Sequence, residues 1–158
     1  MIELQNAAFS YGGRDILRHV NLKLAPGSFH FLTGPSGSGK TTLLRLCYMQ
    51  LEASAGQVRI LGTDVRAMSR DQVSATRRRI GIVHQDCQFL DHLSVDENIA
   101  LPLTVSGRDA AAHMDNLQEL VSWVGLTEQR TALPPQLSGG ERQRAALARA
   151  VMMSPDIV

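Results

Sequence analysis

The chain has 158 residues, 44% hydrophobic and 20% charged, an ordinary globular composition long enough for one hydrophobic core. A formal net charge of +1 with interspersed signs argues against a nucleic-acid partner, and the one compact basic run, Arg77-Arg78-Arg79, reads as a solvated helix face. No stretch reads as a signal peptide, no apolar run approaches the ~20 residues that span a bilayer, and neither the two cysteines nor the five histidines have metal-ligand spacing. Cys47 and Cys87 suit a reducing compartment, Cys47 as a small core residue.

Ile2, Leu4 and Phe9, then Val20, Leu22 and Leu24, predict two strands, and a Pro26-Gly27 turn leads into a third over residues 28–33. Tyr11, before Gly12-Gly13, lies at a loop where an exposed ring can stack on a base; a buried tyrosine at a strand end explains it equally well. Gly34-Pro35-Ser36-Gly37-Ser38-Gly39-Lys40-Thr41 matches the phosphate-loop pattern G-x-x-x-x-G-K-[ST], between that strand and a helix carrying Leu43, Leu44, Leu46, Cys47 and Leu51. Glycines let successive N–H groups turn inward on phosphate oxygens, Lys40 adds a point charge, and the helix N-terminus points its positive end at the same anion. An ordinary glycine-rich turn does not explain the Lys-Thr pair.

Residues 56–62 predict a strand, 71–79 a short polar helix, and 80–83 a short buried strand ending at His84-Gln85-Asp86, where ligands of α/β proteins gather. From Cys87 onward the pattern is helical. Ser94 and Glu97 have capping-box spacing for a helix toward Leu101, limited by Pro102; residues 109–124 predict a second helix that Gly125 stops, with Trp123 and Leu126 as its core. Leu137-Ser138-Gly139-Gly140-Glu141-Arg142-Gln143 opens the last helix with another Ser/Glu capping box. Capping does not explain two glycines just inside a helix start, each costing about 1 kcal/mol against Ala. Bare N–H groups there make a second anion-facing device, although one nucleotide needs only one.

Together the two motifs, with Gln85 between them, resemble the nucleotide-binding subunit of ABC-type ATPases over essentially the whole chain. Gly34 to Thr41 resembles Walker A, Tyr11 the adenine-stacking aromatic, Gln85 the Q-loop glutamine and residues 137–143 the LSGGQ signature, with Glu141 where many members have Gln. Phe31-Leu32-Thr33-Gly34, Arg78-Arg79-Ile80-Gly81 and residues 97–103 resemble most the FtsE-type cell-division branch, ahead of ATPases that serve lipoprotein or macrolide export. The resemblance implies an α/β P-loop NTPase core with an N-terminal antiparallel β subdomain and a helical insertion, C-terminally incomplete. Residues 1–86 would be β subdomain and P-loop core, 87–136 the helical insertion, and 137–158 the signature helix and the start of the Walker B strand.

The same resemblance implies ATP and Mg2+ as ligands. Nucleotide contacts fall to Tyr11, Gly34, Pro35, Ser36, Gly37, Ser38, Gly39, Lys40, Thr41 and Thr42, metal contacts to Thr41 and Gln85, and catalysis to Lys40, Gln85, Ser138 and Gly140. The implied partners are a second copy, head to tail with ATP between Walker A of one subunit and the signature of the other, and an FtsX-like integral membrane subunit, for which Phe89 and Leu90 are the candidate contacts, core packing being the alternative that explains either residue alone more simply. The implied location is cytoplasmic, peripheral on the inner face of the membrane. The end at Ser154-Pro155-Asp156-Ile157-Val158 resembles the opening of Walker B before its Asp and catalytic Glu, which implies a fragment inactive alone, with strand 29–33 lacking a neighbour. A P-loop small-molecule kinase would share Gly34 to Thr41 but has no use for residues 137–143. Soluble ABC proteins of translation or DNA repair carry paired cassettes or long coiled-coil inserts, and neither is in this sequence.

Overall fold

Alternation of apolar residues makes the first strand one-faced: β1 (Ile2–Tyr11) buries Ile2, Leu4, Ala7 and Phe9. The two-glycine turn behind Tyr11 then returns the chain as β2 (Arg14–Leu24). The computed structural model describes residues 2–158, and the chain divides into two units, one running to Arg77 and the other Arg78–Val158. In the first unit β3 (Ala55–Ile60) and β4 (Thr63–Asp64) complete an antiparallel sheet of order β2-β1-β3-β4, in which Leu4 pairs with Leu22 on one side and Val58 on the other. Helix α1 (Lys40–Cys47) packs against β2 and β3 and buries Thr42, Leu46 and Cys47. It stops short of Leu51, because Tyr48 leaves the helical region and Met49 is left-handed at φ 60°. Helix α2 (Arg70–Arg77) is polar, opened by Ser69 and Gln72 bonding each other's backbone N–H, and its Arg77 guanidinium caps the Met49 carbonyl.

The strand predicted over residues 28–33 does not form. Among the described residues nothing pairs with it, and a strand without a ladder leaves its backbone groups to solvent. Its aromatic rings pack only edge to face on each other, at 4.9 Å, with Phe29 82% and Phe31 84% exposed.

The core of the second unit lies between α3 (Val95–Val105), α4 (Met114–Trp123) and α5 (Gly139–Val151), with Ile99, Leu103, Val121, Leu126 and Ala145 at its centre. The Ser94/Glu97 capping box opens α3 as its spacing predicts. Pro102 does not limit that helix, which runs three residues past it. The ~3 kcal/mol penalty of an interior proline is offset by burial of Ile99 and Leu103 on either side. Residues 111–113 form a 3-10 turn, so α4 begins five residues later than periodicity predicts, and Gly125 ends it at φ 67°. Leu126 is core, but Trp123 is 70% exposed, two residues past Val121 and so on the far side of the helix. The strand predicted at residues 80–83 shrinks to one parallel bridge, Ile80 to Ile157. Gly81 donates to the Ile157 carbonyl at 2.8 Å, and Arg79 grips Asp156 at 2.7 and 3.0 Å.

Candidate nucleotide site

Gly34, Gly37 and Gly39 all have positive φ, and the loop they carry is exposed from Gly34 to Ser38. Gly39 is the most constrained. It is the N-cap of α1 at φ 91°, and a β-carbon there would lie 3.0 Å from Leu17 and 3.3 Å from the Ile16 carbonyl, so a side chain is barred by conformation and by the strand beneath. With no side chain capping α1, the helix entrance is left as free N–H groups. Lys40 folds back over the loop, its Nζ donating to the Gly34 and Pro35 carbonyls at 2.8 Å each, which holds a cation beside the exposed amides. Thr41 is exposed and Thr42 is buried.

Tyr11 ends β1, 45% exposed, its ring edge to face with Phe9 at 4.7 Å. It is a strand-end residue with one side packed on Phe9 and one side open. Its hydroxyl is the largest of the influences that raise the pKa of the Arg45 guanidinium. Burial pushes the Cys47 thiol up to about 11, so it is an inert core group.

In the second unit Ser138 caps α5. Its Oγ accepts from Glu141 N at 3.3 Å, while the Glu141 carboxylate accepts from Ser138 N at 2.8 Å and Ser138 Oγ at 2.7 Å. These bonds, first among them the one from the Ser138 hydroxyl, hold the Glu141 carboxyl below its usual range. The Gly139 and Gly140 N–H groups precede the first intrahelical partner and stay available. A β-carbon on Gly139 would meet nothing within 4 Å, and on Gly140 only the tip of Arg144 at 3.7 Å. Packing within this chain therefore requires neither glycine.

Gln85 is exposed on the turn after Val83, and the chain then passes through two successive left-handed residues, Cys87 at φ 58° and Gln88 at φ 43°. Two side chains that sequence reasoning missed hold this loop. Arg149 of α5 donates to the Gln88 carbonyl at 2.9 Å and to the Cys87 carbonyl, with its guanidinium over the Phe89 ring at 4.7 Å. Asn98 of α3, wholly buried, accepts from Leu90 N at 2.9 Å and turns its amide nitrogen to the Leu90, Leu93 and Ser94 carbonyls. The signal was in the helical rows: Arg149 lies between Ala145 and Met152, and Asn98 between Val95 and Leu103, polar residues on faces otherwise apolar. Phe89 packs on the core, while Leu90 is 40% exposed.

A family model described as "ABC transporter" matches residues 17–158. The chain belongs to the ABC transporter family. Three of its similar relatives carry different names. It is 42% identical over 144 residues to the lipoprotein-releasing system ATP-binding protein LolD 1 of Rhodopirellula baltica, covering 90% of this chain and 63% of the relative. It is 38% identical over its whole length to the methionine import ATP-binding protein MetN of Vibrio vulnificus, covering 47% of that protein. To the cell division ATP-binding protein FtsE of Haemophilus influenzae it is 38% identical over its whole length, covering 73% of it. The chain thus spans about half to three quarters of these relatives. Among solved structures, a dimeric ATP-binding cassette in a post-hydrolysis state bound to ADP and Pi matches with a TM-score of 0.86 at 31% identity, over 98% of this chain and 71% of that one. The family and the P-loop fold of the ABC ATPases are those the two motifs imply.

Proposed function

We propose that the chain is the ATP-binding part of an ABC-type complex, coupling ATP binding and hydrolysis to an integral membrane subunit. The observation that carries this reading is the pair of glycine-built helix entrances: α1 begins at Gly39 with no side-chain cap, and α5, whose third N–H is capped by Ser138, leaves the N–H groups of Gly139 and Gly140 uncovered. In the proposed arrangement Gly34 to Thr42 hold the phosphates of one ATP, Tyr11 meets the base, and Ser138 and Gly140 of a second copy approach the γ-phosphate. Closure of two copies then assembles the charge-neutralising site that phosphoryl transfer needs. Lys40 already sits as a fixed cation in that loop.

Mg2+ fits the donor set as an ion carried on phosphate. No cluster of three or more His, Cys, Asp or Glu exists among the described residues to cage a metal, whereas Thr41 in the first unit and Gln85 in the second each carry a hard oxygen donor of the kind Mg2+ takes. When bound, Mg2+ supplies neutralisation of the β- and γ-phosphate charge. Within the family we favour an FtsE-like role in cell division with an FtsX-like partner, at the inner face of the cell membrane, on the phrases at residues 31–34, 78–81 and 97–103. Lipoprotein export is the second reading, favoured by the 42% identity to LolD 1. Co-purification of a cell-division membrane subunit, rather than one of lipoprotein release, decides between them.

Two substitutions test the paired sites. Lys40→Ala removes a charge-assisted contact and is expected to weaken binding of fluorescent ATP about tenfold or more. Gly140→Asp sets a negative side chain over the α5 entrance; it is expected to spare ATP binding by one copy and abolish ATP-dependent dimerisation of the full-length protein. Unchanged ATP affinity in the first variant overturns the phosphate-loop reading. Equal loss of both properties in the second makes the signature a purely structural cap.

A further inference from the structure

The segment around Gln85 is fastened to α5 at both ends. Ahead of it, Gly81 lies so close to the helix that a β-carbon would fall 2.4 Å from the Ala150 carbonyl, so the two backbones touch. Behind it, the adjacent residue Arg149 takes both carbonyls of the left-handed pair Cys87-Gln88 and lays its guanidinium on Phe89. Two non-glycine residues in the left-handed region are strained, and they persist only where their surroundings hold them. Here the holder is a forked, planar donor set matched to two neighbouring carbonyls, which a single ammonium cannot reproduce. Asn98 then fixes the next turn, through Leu90, to α3. Residues 81–90 are therefore a strap whose position follows α5, the helix that begins at Ser138.

We propose that Arg149 is a positioning residue that ties the loop after Gln85 to the signature helix, so that what happens at Gly139-Gly140 is transmitted to the exposed Leu90 and its neighbours. This rests on the proposed function for its last link, the membrane subunit meeting Phe89 and Leu90. The link through Arg149 itself rests on geometry alone, and it touches neither the phosphate loop nor the helix entrance.

The test uses the full-length protein with Arg149→Met, which keeps the stem and loses every donor, and Arg149→Lys, which keeps the charge but not the fork. Amide exchange in the methionine variant is expected to speed up about tenfold or more at Cys87 and Leu90 while Leu103 and Ala145 keep their protection, with partial recovery in the lysine variant. Equal acceleration at Leu103 and Ala145, or none at Cys87, overturns the proposal, since Arg149 would then be a general packing element or a bystander. In the reconstituted complex, the methionine variant is expected to keep ATP turnover without the membrane subunit within about twofold and to lose most of that subunit's effect on turnover. An unchanged effect overturns the coupling. If the unmutated protein shows no response to a membrane subunit at all, the proposed function falls and the coupling with it, while the exchange result still decides whether Arg149 sets the loop.

Discussion

At the first turn of α5 a single carboxylate, Glu141, closes the cap by accepting from both the N–H and the hydroxyl of Ser138, and Glu97 does the same for Ser94 on α3. Both carboxyls are held below their usual range, with the serine hydroxyl as the first cause in each case. A folded-state pKa lower than the unfolded one means the unfolded chain takes up protons first. The contribution is therefore complete above about pH 4.5 and is lost as pH falls through the lower folded value. Glu141→Gln keeps an acceptor for Ser138 N but cannot titrate. Its melting temperature is expected to lie below the unmutated protein's at about pH 6 and to approach it as pH falls below about 4.5, and a pH-independent gap would show that the box does not titrate. Capping of this sort is legible in sequence because it needs only residues three apart. Arg149 is marked in sequence only as a polar residue on an apolar face, and its partners are not legible, since they lie 61 and 62 positions away.

Among the elements, α3 shows where local rules yield. Its cap was readable, but its end was not: Pro102 stops an isolated helix, while here burial of Ile99 and Leu103 carries the helix through. Trp123 fails for a related reason, because periodicity places a helix's apolar stripe but not its phase against neighbours, and Leu117 and Val121 take the buried side of α4. Asn98 is the polar pin of α3. Its amide orientation is set by surroundings, one oxygen facing an N–H and the nitrogen facing only carbonyls. Asn98→Ala leaves the Leu90 N–H and the Leu93 carbonyl without partners, while the Leu90 and Ser94 carbonyls keep the N–H groups of Leu93 and residue 98, and it is expected to cost about 2 kcal/mol or more of unfolding free energy in a denaturant titration. A loss below about 1 kcal/mol would mean that water replaces the amide.

On the scale of the whole chain, the antiparallel sheet and the helices were legible, whereas the strands read at residues 28–33 and 80–83 do not form beyond one parallel bridge. A hairpin such as β1–β2 is specified by neighbours in sequence, whereas residues 28–33 and 80–83 have strand-like composition but need partners from far along the chain. Phe29 and Phe31 therefore stand exposed beside unpaired backbone, which invites association between copies of this 158-residue chain. The double substitution Phe29→Ser with Phe31→Ser is expected to shift the isolated chain toward monomer in size-exclusion chromatography; an unchanged elution profile would exonerate these rings. The Arg79 to Asp156 pair and the neighbouring bridge, by contrast, do close, across 77 residues of chain. That separation has a kinetic meaning. Closing so long a loop gains little until α3, α4 and α5 have packed between its ends, so these contacts belong to the downhill side of the folding barrier. Loosening them by Asp156→Asn is expected to speed unfolding in stopped-flow traces and leave the refolding limb where it was, making residues 79–80 and 156–157 the latch that fastens last and lets go first.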